Sequence, residues 1–311
     1  MKLVFCGTPQ FAVPTLERLA ATAGFDIQLV VTQPDRPQGR GMELTAPPVK
    51  QSALKLGFPV VQPDKIKKNE EFQTQLRTLA PDAIIVVGYG RIIPPWMLEL
   101  PRYGNINVHA SLLPKYRGAA PIQWAIASGE KVTGVTTMLL NEGLDTGDIL
   151  LQKELLIAGE DTSVTLGPKL AELGAELLVQ TLRGLEEKRI VAQPQDHSRA
   201  TLAPILNKED GLVDFTRTAQ EIYNRLRGFQ PWPGAYTKLR GKNLKLVEVK
   251  PTTSTSQGNP GELHAQGDHL LVTCGNGTAL QLLQLQLEGK KAMSTREFIN
   301  GYRPSDSERL G

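Results

Sequence analysis

Apolar residues in the first half of the chain fall into short runs that stop at Gly, Pro or Thr and alternate with stretches of helical spacing. Residues 2–6 form the first run, closed by Gly7, Thr8 and Pro9, and in the FAVPTLERLA that follows, Phe11, Leu16 and Leu19 share one helical face. The runs at 27–32, 83–88 and 106–109 repeat the strand pattern, with helical stretches near 47–57 and 69–80 between them. Strands that are apolar throughout are those buried on both faces. The pattern therefore predicts an α/β domain with a Rossmann-like, mostly parallel sheet covered by helices. Ligands of such sheets bind beyond the carboxyl ends of the strands, where Gly7, residues 88–90 and His109 would lie.

From Asp161 the chain changes character. SVTLGPKLAELGAELLVQTLRGLEE has the spacing of a long amphipathic helix, with Asp161 and Thr162 as candidate caps, and it is placed to close the first domain. Residues 190–207 keep no period and mix Pro with polar residues, which predicts a linker between a domain at 1–189 and a second at 208–311. The second domain opens with a helical TAQEIYNRLRGF. Alternating strands follow near 235–239, 243–250, 269–274 and 279–287, so a small, mostly antiparallel β-barrel is predicted. The run 252–261, TTSTSQGNPG, reads as a flexible loop, and no internal repeat is visible.

Composition narrows the class. A chain of 311 residues exceeds one ordinary core, and its 40% apolar and 22% charged residues suit a globular protein. No apolar stretch reaches the roughly 20 residues that span a bilayer, and MKLVFCG enters a strand without the layout of a signal peptide. A cytoplasmic protein with no membrane partner is expected. The two cysteines, Cys6 and Cys274, sit in apolar runs and are read as core residues, too few for a disulfide framework or a cysteine zinc site.

The net charge of +3 is unevenly spread. Residues 1–189 hold 20 basic and 20 acidic side chains, and 190–311 hold 15 and 12. Lys238, Arg240, Lys242, Lys245 and Lys250 face one acid, Glu248, a cluster that suits phosphates or, equally, the solvated edge of a hairpin. The segment 33–48 carries Arg36 and Arg40 among Gly and Pro without apolar period. It reads as a mobile basic loop, either a substrate lid or an RNA contact.

Two stretches carry candidate chemistry. In NINVHASLLPKYRG, Asn107 and His109 are two apart on a strand and so share a face. Alone, an Asn can cap a turn and a His can sit satisfied in a core. Together at the end of a buried strand, an amide and an imidazole can donate to a developing oxyanion and pass a proton. In LNEGLDTGDI, Gly143 and Gly147 bracket Asp145, and either Asp145 or Asp148 could orient His109, with Asp148 the better candidate for bonding its own turn. Gly7 is followed by Thr8, Pro9, Gln10 and Phe11, so the dinucleotide fingerprint G-x-G-x-x-G is missing.

These stretches resemble the folate-dependent formyltransferases. FCGTPQFA, QPDRPQGRG, PPVK, VVGYGRIIP, NVHASLLPKYRGAAPIQWAI, GLDTGDIL, FQPWPGAY and GKKAMS carry the likeness along nearly the whole chain. The resemblance implies that Asn107, His109 and Asp145 act on the formyl carbonyl. It implies folate contact at Ser111, Leu112, Leu113 and Pro114, and a backbone wall for the pterin at Val87, Gly88, Tyr89, Gly90, Arg91 and Ile92. The donor would be 10-formyltetrahydrofolate, with no metal and no nucleotide cofactor. The QPDRPQGRG loop resembles an insertion that enters a tRNA acceptor arm, with Arg36 and Arg40 as contacts and Arg40 the candidate for reading the first base pair. The basic C-terminal domain resembles an OB-like module holding the tRNA backbone through Lys238, Arg240, Lys242 and Lys245. Three readings stay open: formyl transfer to initiator methionyl-tRNA by a monomeric enzyme, transfer to a small amine such as a glycinamide ribonucleotide or an amino sugar, and a non-catalytic RNA-binding module. The basic loop and the extra domain favour the first. The intact Asn107, His109 and Asp145 set disfavours the third.

Overall fold

The structure, a computed structural model, describes residues 1–38, 42–305 and 308–311. The chain forms two compact units: Met1–Pro121 with Val132–Leu156 and Leu166–Pro204, and Ile122–Lys131 with Ile157–Thr165 and Ile205–Gly311.

The first unit is built on a seven-stranded sheet of β1 (Lys2–Gly7), β2 (Asp26–Val31), β5 (Val60–Val61), β6 (Ala83–Val87), β7 (Asn105–His109), β8 (Val132–Leu139) and β9 (Ile149–Leu156), in the order β5-β2-β1-β6-β7-β8-β9. Pairing is parallel from β5 to β7 and antiparallel at β8 and β9. The helices of the crossovers are α1 (Val13–Ala20), α2 (Pro48–Lys55), α3 (Glu70–Leu79) and α4 (Pro95–Leu98). From β1 the chain winds first toward β2 and β5 and then back past β1 to β6 and β7. The strand order thus reverses between β1 and β6, where Gly7 pairs with Val87. β6 and β7 are buried along their whole length, β6 as its continuous apolar pattern requires and β7 although three of its five residues are polar.

The second strand face of β7 shows why its polar residues alternate. A Cβ on Gly174 of α6 (Ser163–Glu186) would lie 2.8 Å from Val108 Cγ1, so the helix closes on that side through a glycine. Asn105, Asn107 and His109 fall on the other side, where the Asn105 amide donates to the carbonyls of Met97 (2.8 Å) and Leu98 (3.1 Å) of α4.

In the second unit α5 (Pro121–Ala127) and α7 (Ala219–Gly228) pack closely. A Cβ on Gly228 would sit 2.6 Å from Gln123 O, and Trp124 meets Phe229 edge to face at 5.3 Å. The antiparallel sheet has β10 (Ala235–Leu239), β11 (Lys242–Thr255), β12 (Leu263–Gln266), β13 (His269–Thr273) and β14 (Thr278–Leu287) in the order β10-β11-β14-β13-β12, with β15 (Met293–Ser294) on β14. The chain's last residues tie the two edges together. Leu263 N donates to Glu308 O (2.8 Å), Leu310 N to Gly261 O (2.9 Å), and Gly311 N to Lys238 O of β10 (3.0 Å). Alternate strand residues fill a core with Ile222 and Leu226 of α7 and Phe298 of α8 (Thr295–Tyr302).

Four expectations change. The main boundary, at Pro204, falls inside the span read as a linker, but two earlier segments belong to the second unit, among them the approach to the long helix. Residues 190–204 are held against the first unit: Gln193 and Ile149 exchange backbone hydrogen bonds at 2.8 Å, and Ala203 N donates to Arg117 O at 2.7 Å. The supposed basic loop contains an antiparallel pair, β3 (Arg36–Gln38) and β4 (Glu43–Thr45), which its lack of apolar period concealed because a two-stranded ribbon has no core to face. The run from Thr252 continues β11 as far as Thr255 before the chain turns, and β12, β15 and α8 join the elements read from the sequence.

Candidate active site

Asn107 and His109 stand on the carboxyl-terminal half of β7, held in register by Val86 on β6 and by Met138 and Thr136 on β8. Both are buried, at 8% and 6% exposure. His109 Nε2 lies 2.9 Å from the carbonyl of Tyr116. A carbonyl can only accept, so the proton of the neutral ring sits on Nε2 and Nδ1 is left with a lone pair. Nδ1 faces Asp145 Oδ2 at 3.7 Å, within ion-pair range but beyond a hydrogen bond. The same carboxylate oxygen accepts from Gly118 N at 2.8 Å.

The Asn107 amide makes no hydrogen bond among the described residues, although its side chain is buried. The amide is therefore free to donate to a group outside the protein. Asp145 and Asp148 separate clearly. Asp145 faces His109, while the backbone carbonyl of Asp148 continues the β8 ladder by accepting from Leu139 N at 2.9 Å.

The loop that presents Asp145 is tight because of its glycines. A Cβ on Gly143 would lie 2.0 Å from Thr146 Oγ1, and one on Gly147 would lie 1.8 Å from Leu139 O. Asp145 itself adopts φ 50°, a left-handed conformation that Asp tolerates better than most residues.

The segment 111–114 is fixed from beneath. Ser111 Oγ donates to Lys115 O (2.7 Å), so its hydroxyl closes its own turn. Thr136 Oγ1 donates to Ser111 O (2.7 Å) and accepts from Leu113 N (3.1 Å), and Gln152 Nε2 donates to Leu113 O (2.8 Å). Leu113 is buried, and Leu112 and Pro114 are half-buried.

The stretch after β6 is shaped by Gly88 (φ 55°) and Gly90 (φ 75°), and a Cβ on Gly88 would strike Pro9 at 2.8 Å. Val87 and the Tyr89 ring are buried, and burial holds the Tyr89 phenol well above its ordinary pKa. Ile92 is 88% exposed. Gln33 holds the backbone here: its Nε2 donates to Tyr89 O (3.1 Å) and Gly90 O (3.3 Å), and its Oε1 accepts from Arg91 Nε (3.2 Å). Gln33 is joined through its own carbonyl to Gln62, and Gln62 to Asp35 and Lys50. Lys50 and Gln62 together lower the pKa of Asp35.

Arg36 is exposed on β3, and Arg40 lies outside the described residues. In the second unit Lys238, Lys242 and Lys245 are exposed, with Lys245 opposite Tyr236 and Lys238 opposite Asn243 in the ladder. Arg240 is engaged instead: Nε and Nη2 fork onto Glu308 at 2.7 and 2.8 Å, and Nη1 donates to Tyr302 O at 3.2 Å. That commitment to the closing segment could not be read from the cluster of charges.

Sequence reasoning missed Thr136, Gln152, Gln33, Arg117 and Gln195. Gln33 and Arg117 stand inside quoted motifs, but Thr136, Gln152 and Gln195 are single polar residues in strands and loops, where spacing carries no signal.

Among the described residues no helix is long and apolar enough to cross a membrane. Residues 1–182 match the formyl transferase family, and 205–303 match the C-terminal domain of the same family. The methionyl-tRNA formyltransferase of Koribacter versatilis is 65% identical over 311 residues, 100% of this chain and 99% of that protein. That of Acidobacterium capsulatum is 61% identical, with both chains covered in full. Among solved structures, an N-formyltransferase from Helicobacter canadensis in complex with folinic acid and dTDP-3-aminofucose superposes with a TM-score of 0.67 at 18% identity, covering 93% of this chain and 100% of that one. HypX from Aquifex aeolicus, in complex with tetrahydrofolic acid, gives 0.60 at 18% identity over 99% of this chain and 48% of its own. These two show a common fold. The family matches across both halves, and identities of this size over the whole length, make the chain a member of the formyl transferase family, akin over its full extent to the methionyl-tRNA formyltransferases.

Proposed function

We propose that this chain transfers the formyl group of 10-formyltetrahydrofolate to the α-amino group of methionine on initiator methionyl-tRNA. The observation that carries the chemistry is the buried, unpartnered amide of Asn107 beside the His109 and Asp145 pair. The full-length likeness to methionyl-tRNA formyltransferases supports the acceptor.

The neutral amine attacks the formyl carbon, and a C–N bond forms while the carbonyl oxygen becomes an oxyanion. The Asn107 amide donates to that oxygen, and a preorganised donor of this kind is worth about 2.7–4 kcal/mol in a dry site. The Nδ1 lone pair of His109 takes the proton that the attacking nitrogen sheds, and the Asp145 carboxylate stabilises the resulting imidazolium. The proton then passes to the folate nitrogen as its bond to the formyl carbon breaks. Formyl-methionyl-tRNA and tetrahydrofolate leave. In this reading Val87 to Ile92 and Ser111 to Pro114 line the folate pocket, with backbone groups doing most of the recognition because the Tyr89 ring is buried and the Ser111 hydroxyl closes its own turn. Arg36, Arg40, Lys238, Lys242 and Lys245 meet tRNA phosphates or bases.

Incubation with 10-formyltetrahydrofolate and charged initiator methionyl-tRNA is expected to give formyl-methionyl-tRNA. His109→Ala should cut kcat by about 10²–10⁴-fold with tRNA binding retained. Formylation of a nucleotide-linked sugar amine without formylation of the tRNA would overturn the acceptor.

A further inference from the structure

The stretch whose composition suggested a linker carries a side chain that holds the catalytic loop. Gln195 is buried, and its Nε2 donates to the carbonyls of Asp145 (2.9 Å) and Gly147 (2.7 Å). Its Oε1 accepts from Arg117 Nε (3.1 Å) and Nη2 (2.6 Å). A guanidinium only donates and a backbone carbonyl only accepts, so the amide has one permitted orientation and all its groups are spoken for. Arg117 is itself buried, and its Nη2 also lies 3.1 Å from His197 Nδ1.

The loop needs such a brace. Asp145 sits at φ 50°, a conformation that Asp adopts at some cost and that the surrounding contacts must hold. Its carboxylate must reach both Gly118 N and the His109 ring. The same stretch also reaches the residue that fixes His109: Tyr116 N donates to Thr201 Oγ1 (2.9 Å), and Tyr116 O is the acceptor for Nε2. Arg117 N donates to Thr201 O (2.9 Å), which keeps the guanidinium's own backbone in place.

We propose that Gln195 is a positioning residue for formyl transfer, holding the backbone of Asp145 and Gly147 so that the Asp145 carboxylate faces His109, with Arg117 orienting the Gln195 amide. This rests on the assignment of Asp145 to the formyl-transfer site. Gln195 touches neither substrate nor the reacting atoms, so its loss should be felt in turnover and not in binding.

Two substitutions test it. Gln195→Glu keeps the size and the acceptor for Arg117 but turns a carboxylate oxygen toward two carbonyls. Gln195→Leu removes both functions. Steady-state formylation is measured for each with methionyl-tRNA and 10-formyltetrahydrofolate varied in turn, alongside thermal melting and the wild type and Asp145→Ala. The expected result is a fall in kcat of about 10-fold to 10²-fold in both variants, with KM for each substrate within about 3-fold of wild type. If Gln195→Leu does not fold, Gln195→Glu decides, because Arg117 gains an anionic partner there. A kcat for Gln195→Glu within about 3-fold of wild type, or a loss confined to KM, overturns the proposal. Failure of the wild type to formylate the tRNA sinks the functional reading instead, and an active wild type with an inactive Asp145→Ala and a fully active Gln195→Glu sinks the role of Gln195 alone.

Discussion

Gly147→Ala tests how far the site depends on close backbone approach. The added Cβ would stand 1.8 Å from Leu139 O and 2.9 Å from Leu139 C, where real Cβ contacts stay at or above 3.0 Å, so relief needs a movement of 3.0 − 1.8 = 1.2 Å. Leu139 cannot give way cheaply: it pairs with Ile106 on β7, and its N–H donates to Asp148 O at 2.9 Å. The loop must therefore move, and Asp145 is two residues away. Its Oδ2 cannot keep both the 2.8 Å bond from Gly118 N and the 3.7 Å approach to His109 after a shift of that size. A misplacement of about 1 Å costs on the order of 10²-fold in rate, and overpacking destabilises by about 1–3 kcal/mol, which a folded domain survives. Formyl transfer under single-turnover conditions with saturating folate reads the chemical step, and thermal melting reads the fold. Gly159→Ala is the control, since nothing lies within 4 Å of its Cβ position. A Gly147→Ala enzyme that transfers formyl within about 3-fold of wild type would refute the reasoning.

Three further outcomes follow. Lys245→Ala should weaken tRNA binding and reduce the dependence of log K on log salt by about one phosphate contact, whereas Arg240→Ala should leave that slope unchanged and lower the melting temperature, because Arg240 is engaged with Glu308; equal slopes for both variants would show the contrast to be wrong. Asp35 has its pKa lowered by its bonds from Lys50 and Gln62, so the stabilisation it gives is fully present above its unfolded pKa of about 4 and is lost as pH falls through the lower folded value. The stability gap between wild type and Asp35→Asn should accordingly hold constant from neutral pH downward and close in acid; a gap that widens there would reverse the assignment. Burial pushes the Cys274 thiol up to about 12 and raises that of Cys6 as well, so neither should react with iodoacetamide at neutral pH until the protein is unfolded, and rapid labelling of the native protein would count against the packing.

Much of the first unit was legible because its signals are local. Parallel strands buried on both faces are apolar throughout, so β1, β2 and β6 announce themselves as runs, and the 3.6-residue period marks α6. Period two alone put Asn107 and His109 on one face, and Gly143 and Gly147 bracketed the acid that the structure turns toward the ring. The division of the chain was less legible, since Ile122–Lys131 and Ile157–Thr165 join the second unit through packing, which leaves no mark on neighbouring residues. The same holds for what closes the antiparallel sheet: residues 308–311 are too short and too irregular to carry a period, yet their backbone bonds span both edges.

What the sequence determined by itself was the set of groups and their spacing along single elements, because strand and helix geometry fix which neighbours share a face. What only the tertiary structure decided was which groups meet across elements. Nε2 of His109 is committed to Tyr116, so Nδ1 is the nitrogen that faces Asp145. Arg240 is committed to Glu308 and is not a free cation. Gln195, some fifty residues beyond Asp145, fixes the loop that presents it. Contacts between residues that far apart are set by how whole elements pack, and no local pattern records them.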